Sequence, residues 1–194
     1  MYKALSIILV FLSLSSYGQD FTSRKQKSNQ EEKVYLKEVQ AFIRYIHKDR
    51  LKDSTYVLLN EPQIEVSCEK QLAFDSLFSV TEKNNLSEQL RSQRIKSWKE
   101  VWPYRIKFIS SRDLKESYKL NNAFNWIAFK ENISSSYYII SSPVFFENYQ
   151  LCIYYEANYS DSAETGVAKL YKKVRNNWVF ERSVCSWLHS WDTN

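Results

Sequence analysis

Glycine is nearly absent from this sequence, and its scarcity excludes whole classes of protein. The chain of 194 residues holds two glycines, three prolines, three cysteines and two histidines. A loop that cradles a phosphate needs several glycines, because its backbone must approach the anion closely. The sequence therefore excludes the nucleotide-binding proteins that depend on such loops.

Motifs for metal binding and for nucleophilic catalysis are also absent. The two histidines, His47 and His189, form no H-E-x-x-H pattern, and no C-x-x-C or G-x-S-x-G occurs. His47 falls at the end of a predicted helix, where a cation complements the helix dipole. We therefore expect no metal, no cofactor and no catalytic residue.

Charge of one sign does not accumulate anywhere along the chain. The formal net charge is +5, and the 27 basic residues never form a run of five or six. A mixed, solvated surface is typical of such a pattern, whereas nucleic-acid binding favours concentrated positive charge. We expect no nucleic-acid partner.

The N-terminal residues predict export. Lys3 precedes the uncharged run ALSIILVFLSL, and small residues follow at Ser16 and Gly18. This order is typical of a cleaved signal peptide, and the run is too short to span a bilayer comfortably. We predict a signal peptide over 1–18, a flexible leader over 19–32, and a single domain over 33–194. The mature protein would be periplasmic or secreted, with no membrane span.

Helical periodicity dominates the first half of the domain and β-rich runs dominate the second. Apolar spacing predicts helices at about 33–48, 86–100 and 122–132, with Asn85 as a cap for the second. Trp126 and Phe129 share one face of the third helix and should be buried. The C-terminal half predicts most of an antiparallel sheet of about five to six strands. The fold class is therefore α+β, with the helices on one face of the sheet.

Aromatic and turn positions follow one another in a distinctive order: Trp126-x-x-Phe129, the SSPVF and YQLCIYYE segments, Gly166 and the LYKKVRNNW hairpin. This order resembles that of an uncharacterised family of secreted Bacteroidota proteins. The similar features span about residues 80–190. The resemblance implies this fold and export, and it implies no activity or ligand.

Aromatic residues are abundant in the β-rich half, and they are the candidates for binding. Neighbouring strand residues point to opposite faces, so each tyrosine pair should direct one ring outward. An outward row could bind a partner protein or an envelope glycan; alternatively, the rings pack on one another. The predicted binding residues are Tyr138, Tyr155, Tyr159, Trp187 and Trp191.

Two alternatives to a binding domain remain open. Four acids flank the predicted hairpins and could serve an envelope hydrolase, which needs two converging carboxylates: Glu147, Glu156, Asp161 and Glu164. An immunity-type inhibitor of an exported toxin is also compatible with a small domain that has no catalytic motif. Our leading hypothesis is an exported, non-catalytic domain that binds through an aromatic-rich sheet face.

Two features concern covalent chemistry. Asp161-Ser162-Ala163 resembles the short O-glycosylation sequon of exported Bacteroidota proteins, which makes Ser162 a candidate site. Cys152 and Cys185 lie in predicted strands that a third strand separates. Alternate strands are about 9–10 Å apart, beyond the reach of about 7 Å between the Cα atoms of a disulfide. We therefore predict that these two cysteines are not bridged, with Cys68 left as a possible partner for one of them.

Overall fold

The computed structural model describes residues 29–50, 56–64, 68, 71, 78–117 and 124–190. The predicted signal peptide and most of the predicted leader lie outside these residues. Contacts divide the chain into two compact units, Met1–Val39 and Gln40–Asn194. In the first unit residues 29–39 are helical, with Tyr35 and Val39 buried. The helix thus includes 29–32, which the sequence assigned to the leader; the acidic pair Glu31-Glu32 favours a helix N-terminus.

The described helices and strands confirm the α+β class. The helices are α1 (29–46), α2 (Val80–Ser92), α3 (Trp98–Val101), α4 (Ser111–Ser117) and α5 (Trp126–Asn132). The strands are β1 (Val57–Leu59), β2 (Lys107–Ile109), β3 (Ser136–Ile140), β4 (Val144–Phe146), β5 (Leu151–Ser160), β6 (Ala163–Val174) and β7 (Asn177–Ser190).

The strands form one seven-stranded sheet. Six of them follow the order β2-β1-β3-β5-β6-β7, and the seventh, β4, pairs with β5. β3 and β4 are both antiparallel to β5, β3 along its second half and β4 along its first. β5, β6 and β7 follow as a meander, and Arg175 and Asn176, both at positive φ, form its second turn. β1 is parallel to β2 and β3. The sheet is therefore mixed, but mainly antiparallel, as the sequence indicated.

The single helix predicted over 86–100 is wrong, because the chain forms α2 and α3 with a break between them. Ser142, in the gap between β3 and β4, accepts a hydrogen bond from the Ile95 amide at 2.9 Å. The Ser142 amide donates to Gln93 Oε1 at 2.6 Å, and Gln93 has a φ of 43°. The break between α2 and α3 thus provides hydrogen-bond partners for Ser142, in the segment that separates β3 from β4. Asn85 lies inside α2 and does not cap it.

Helices cover both faces of the sheet, rather than one. Leu86 and Leu90 of α2 and Phe129 of α5 pack on the face that carries Ile153, Tyr155 and Ala157, which we call the cystine face because Cys185 lies on it. Phe42 of α1 packs on the opposite face, against rings of Tyr154, Tyr171 and Trp178. We call this second face the groove face. The one-face arrangement therefore holds for α2, α4 and α5 and fails for residues 40–46 of α1.

The cysteines confirm the predicted order of the meander. Cys68 and Cys185 form a disulfide with Cα atoms 5.5 Å apart, and Cys152 is free and buried. β6 lies between the strands of Cys152 and Cys185, which are accordingly not bridged. Burial raises the pKa of the Cys152 thiol well above its ordinary value. Cys152 is therefore a small buried hydrophobic residue.

Candidate binding groove on the sheet

A shallow groove of about 420 Å³ lies on the groove face, beside the residues that follow α1. Strand alternation directs polar side chains from β3, β5, β6 and β7 toward it. The lining residues are Arg50, Tyr138, Glu156, Asn158, Thr165, Gly166, Val167, Lys169, Ser186 and Trp187. The groove lies over strands that are hydrogen-bonded to their neighbours in the sheet.

An ion pair lies among the lining residues of the groove. The Arg50 guanidinium donates to Glu156 Oε1, and it lies 5.5 Å from the centroid of the Tyr138 ring. Partial burial lowers the pKa of Arg50, but the charge of Glu156 and the hydrogen bond to it outweigh that effect and raise the pKa overall. Arg50 is therefore a permanent cation with a fixed partner.

A buried aromatic cluster lies beside this ion pair, on the same face of the sheet as the groove. The Tyr56 ring stacks on Tyr138 at 4.4 Å, and on Trp102 at 6.3 Å. His47 packs beside them and its Nε2 is hydrogen-bonded to the Tyr154 hydroxyl at 2.8 Å. Tyr56 thus packs against the Tyr138 ring, which in turn lies next to the Arg50 guanidinium.

His47 is a neutral core residue, which corrects the interpretation of it as a helix-end cation. Its side chain is 1% exposed. Burial lowers the pKa of His47 to about 4; the Glu156 charge partly opposes this shift, and the charges of Arg50 and Lys169 add to it. Since helix α1 ends at residue 46 and the sheet covers the next turn, the imidazole never reaches solvent. A group this deep cannot exchange a proton with a ligand in the groove.

Four polar side chains in the groove are not used by the fold. Asn158, Thr165, Lys169 and Ser186 make no side-chain hydrogen bond or ion pair with the residues that the structure describes. Serines elsewhere differ: Ser141 and Ser142 accept backbone hydrogen bonds in the core. The groove therefore holds four side chains whose hydrogen-bonding groups have no partner among the described residues, and one of these groups is the Lys169 ammonium.

The structure separates the predicted binding residues. Tyr138 and Trp187 line the groove, but the Trp187 indole donates to the Tyr155 hydroxyl at 3.2 Å, toward the cystine face. Tyr155 itself is 1% exposed. Tyr159 stacks on Tyr137, with ring centroids 5.1 Å apart. Trp191 lies outside the described residues.

The expectation that each tyrosine pair directs one ring outward is wrong at Tyr154 and Tyr155. Both rings are 1% exposed, because Phe42 packs on Tyr154 and the core of the cystine face encloses Tyr155. The pair Tyr137 and Tyr138 comes closer to the expected arrangement, because Tyr137 is buried and Tyr138 is half-buried. Aromatic abundance in this chain therefore builds mainly the two packed layers.

The four candidate carboxylates do not converge in the groove. Glu156 lines it, whereas Glu147 lines a different, smaller pocket between α2 and β4. Asp161 lies in the turn between β5 and β6, 3.9 Å from Lys130 Nζ. Glu164 lies on β6, directly opposite Tyr159 and His189. Ser162, the candidate glycosylation site, is exposed in the turn beside Asp161.

Three comparisons give no relative from which a role could be carried over. Neither the family models, nor the curated proteins, nor the solved structures gave a match to this chain. Within the described residues, no group of three or more potential ligands could hold a metal ion. A separate search of those residues found no helix with the length and apolar character to cross a membrane.

Sequence reasoning missed the polar side of the groove. On β6, Thr165, Val167 and Lys169 alternate with the buried residues Gly166 and Ala168. This period of two was visible in the sequence, and it predicts a solvated strand face. That Arg50 would meet Glu156 could not be predicted, because 106 positions separate them in the chain.

Proposed function

We propose that the protein is an exported, non-catalytic binding domain and that the groove is its ligand site. The single observation that carries the proposal is the set of four polar groove side chains left unused by the fold, beside the fixed Arg50–Glu156 pair. Side chains that are hydrogen-bonded within the protein stabilise the fold. Donors and acceptors that have no partner in the protein are available to bind a ligand.

The absence of catalysis in this proposal rests on accessibility. An acid–base catalyst must reach the proton that it transfers. Of the groove residues and the aromatic cluster beside them, His47 is buried and Glu156 is held by Arg50. Hydrolysis by two carboxylates needs a second acid nearby, and among the described lining residues Glu156 is the one carboxylate.

Export in this proposal rests on the signal-like N-terminus and on the cystine. Disulfides persist in oxidising compartments and are rare in reducing ones. The Cys68–Cys185 bond and the resemblance to secreted Bacteroidota proteins support the same location. We therefore propose that the ligand is a component of the cell envelope.

A co-sedimentation assay with washed envelopes of the producing bacterium tests this function. Thr165→Trp places a large ring in the groove at an exposed position of β6 and should abolish co-sedimentation. Lys172→Trp changes another exposed position of the same strand, outside the groove, and should bind like the wild type. Equal binding by both variants, or no binding by the wild type, would contradict the proposal.

A further inference from the structure

We infer that the ligand of the groove is an acidic saccharide, that is, a hydroxyl-rich chain carrying a carboxylate. This inference rests on the proposed function, and it names the ligand class for the same site. Three observations carry it: the charge balance of the groove, the chemistry of its unused side chains, and the pairing of the strands beneath it.

The charge balance of the described lining residues favours an anionic group in the ligand. Within that part of the chain, two cations, Arg50 and Lys169, line the groove with one anion, Glu156. Arg50 is already paired with Glu156, so one positive charge remains. Lys169 is half-buried, and its charge contributes to the lowered pKa of His47 beside the groove. A carboxylate placed over Lys169 neutralises this charge and accepts a charge-assisted hydrogen bond.

The remaining side chains suit hydroxyl groups. Asn158 offers amide donors and an acceptor, while Thr165 and Ser186 offer hydroxyls that donate and accept. Asn158 and Thr165 are direct cross-strand partners, so their groups act together. Thr165 lies four residues along β6 from Lys169, a separation of about 13 Å. The anionic end and the hydroxyl-binding end are therefore distinct, and a single sugar ring cannot occupy both.

A peptide fits this groove less well than a saccharide. Peptides are recognised by strand addition at a sheet edge or by pockets for apolar side chains. β3, β5 and β6 under the groove are each paired on both sides, whereas β7 is an edge strand of the described sheet. A peptide added along β7 would extend the sheet beside the groove and would not lie in it. Among the described lining residues, Val167 is the one with an aliphatic side chain. The groove itself thus offers no free strand edge and little aliphatic surface.

An array of uronate-containing oligosaccharides, printed beside neutral oligosaccharides of matched length, tests the inference. The wild type should bind uronate-containing members and not their neutral counterparts. Lys169→Gln should weaken that binding about tenfold to a hundredfold, because one hydrogen bond to a charged group is lost. Lys169→Arg keeps the charge and should retain binding, and Lys172→Gln on the same strand should have no effect.

Other outcomes separate this inference from the function on which it rests. Absence of binding to every uronate-containing member, equal binding to neutral members, or full binding by Lys169→Gln would each overturn the acidic saccharide. Binding to envelopes could still depend on Thr165 and yet be lost when the envelopes are treated with protease. The ligand would then be a protein, and the proposed binding function would stand. Loss of the Thr165 dependence itself would overturn both. Unchanged thermal unfolding midpoints would establish that each variant is folded.

Discussion

Burial of His47 ties the stability of the protein to pH. The imidazole is neutral in the folded chain, with a pKa lowered to about 4 by burial, whereas its ordinary value is 6.5. Below pH 6.5 the unfolded chain therefore binds a proton that the folded chain does not bind until about pH 4. The free energy of unfolding should thus be unaffected by His47 above pH 6.5 and should fall as the pH drops from 6.5 toward 4.

The expected loss is about 2–3 kcal/mol between pH 7.5 and pH 4.5, from a shift of this size. Urea unfolding at both values measures it. His47→Gln cannot titrate, so its stability should change less over the same window. Since carboxylates titrate equally in both proteins, the difference between the two slopes isolates His47. Parallel slopes would contradict the assignment of a buried, neutral imidazole.

Gly166 is required for packing inside a strand. A Cβ at this position would overlap the Trp187 indole and lie 2.7 Å from the Tyr155 hydroxyl oxygen. Gly166→Ala should therefore cost about 1–3 kcal/mol through overpacking. Chemical denaturation checks this, and the same substitution in a Trp187→Ala background should cost much less. An equal cost in both backgrounds would mean that the indole is not the obstacle.

Helix α5 buries one of its faces, and its residues therefore differ in how much they contribute to the free energy of unfolding. Asn125 caps it by accepting from the Ala128 amide at 3.1 Å. Phe129 is 1% exposed and Trp126 is half-buried, while Ile127 is 75% exposed. Phe129→Ala should thus cost about 3–5 kcal/mol, and Trp126→Ala should cost less.

Ile127→Ala is the matched control for these two substitutions, and it should change the free energy of unfolding by less than about 0.5 kcal/mol. Denaturant midpoints of the three variants give the order directly. A larger effect at Ile127 than at Phe129 would reverse the assigned orientation of the helix.

Local patterns in the sequence predicted the elements better than their pairing. The meander of β5, β6 and β7 followed from β-rich runs and turn residues, since its contacts join neighbours in the chain. The break between α2 and α3 did not, because it depends on Ser142, 49 positions from Gln93. The parallel contacts of β1 with β2 and β3 are equally remote in the sequence. Part of the groove was predictable from the alternation of β6, and its ion pair was not.

At the scale of the whole molecule, the disulfide joins residues that are 117 positions apart. Closing so long a loop restricts the unfolded chain, so reduction should lower the free energy of unfolding by about 2–5 kcal/mol. A non-reducing peptide map should yield a linked Cys68–Cys185 peptide. Cys152 should react with an alkylating reagent after unfolding and not before. A linked Cys152–Cys185 peptide would contradict the strand order.

The central claim is that ligand binding occurs in the groove, and NMR mapping tests it most directly. The ¹⁵N-labelled protein would be titrated with the uronate-containing oligosaccharides of the array. We predict that the largest shifts fall on the amides of Tyr138, Asn158, Thr165 and Ser186, which line the groove. Amides of α2, such as Glu88 and Arg91, should not move. Shifts centred on α2, or no shifts at all, would contradict the account.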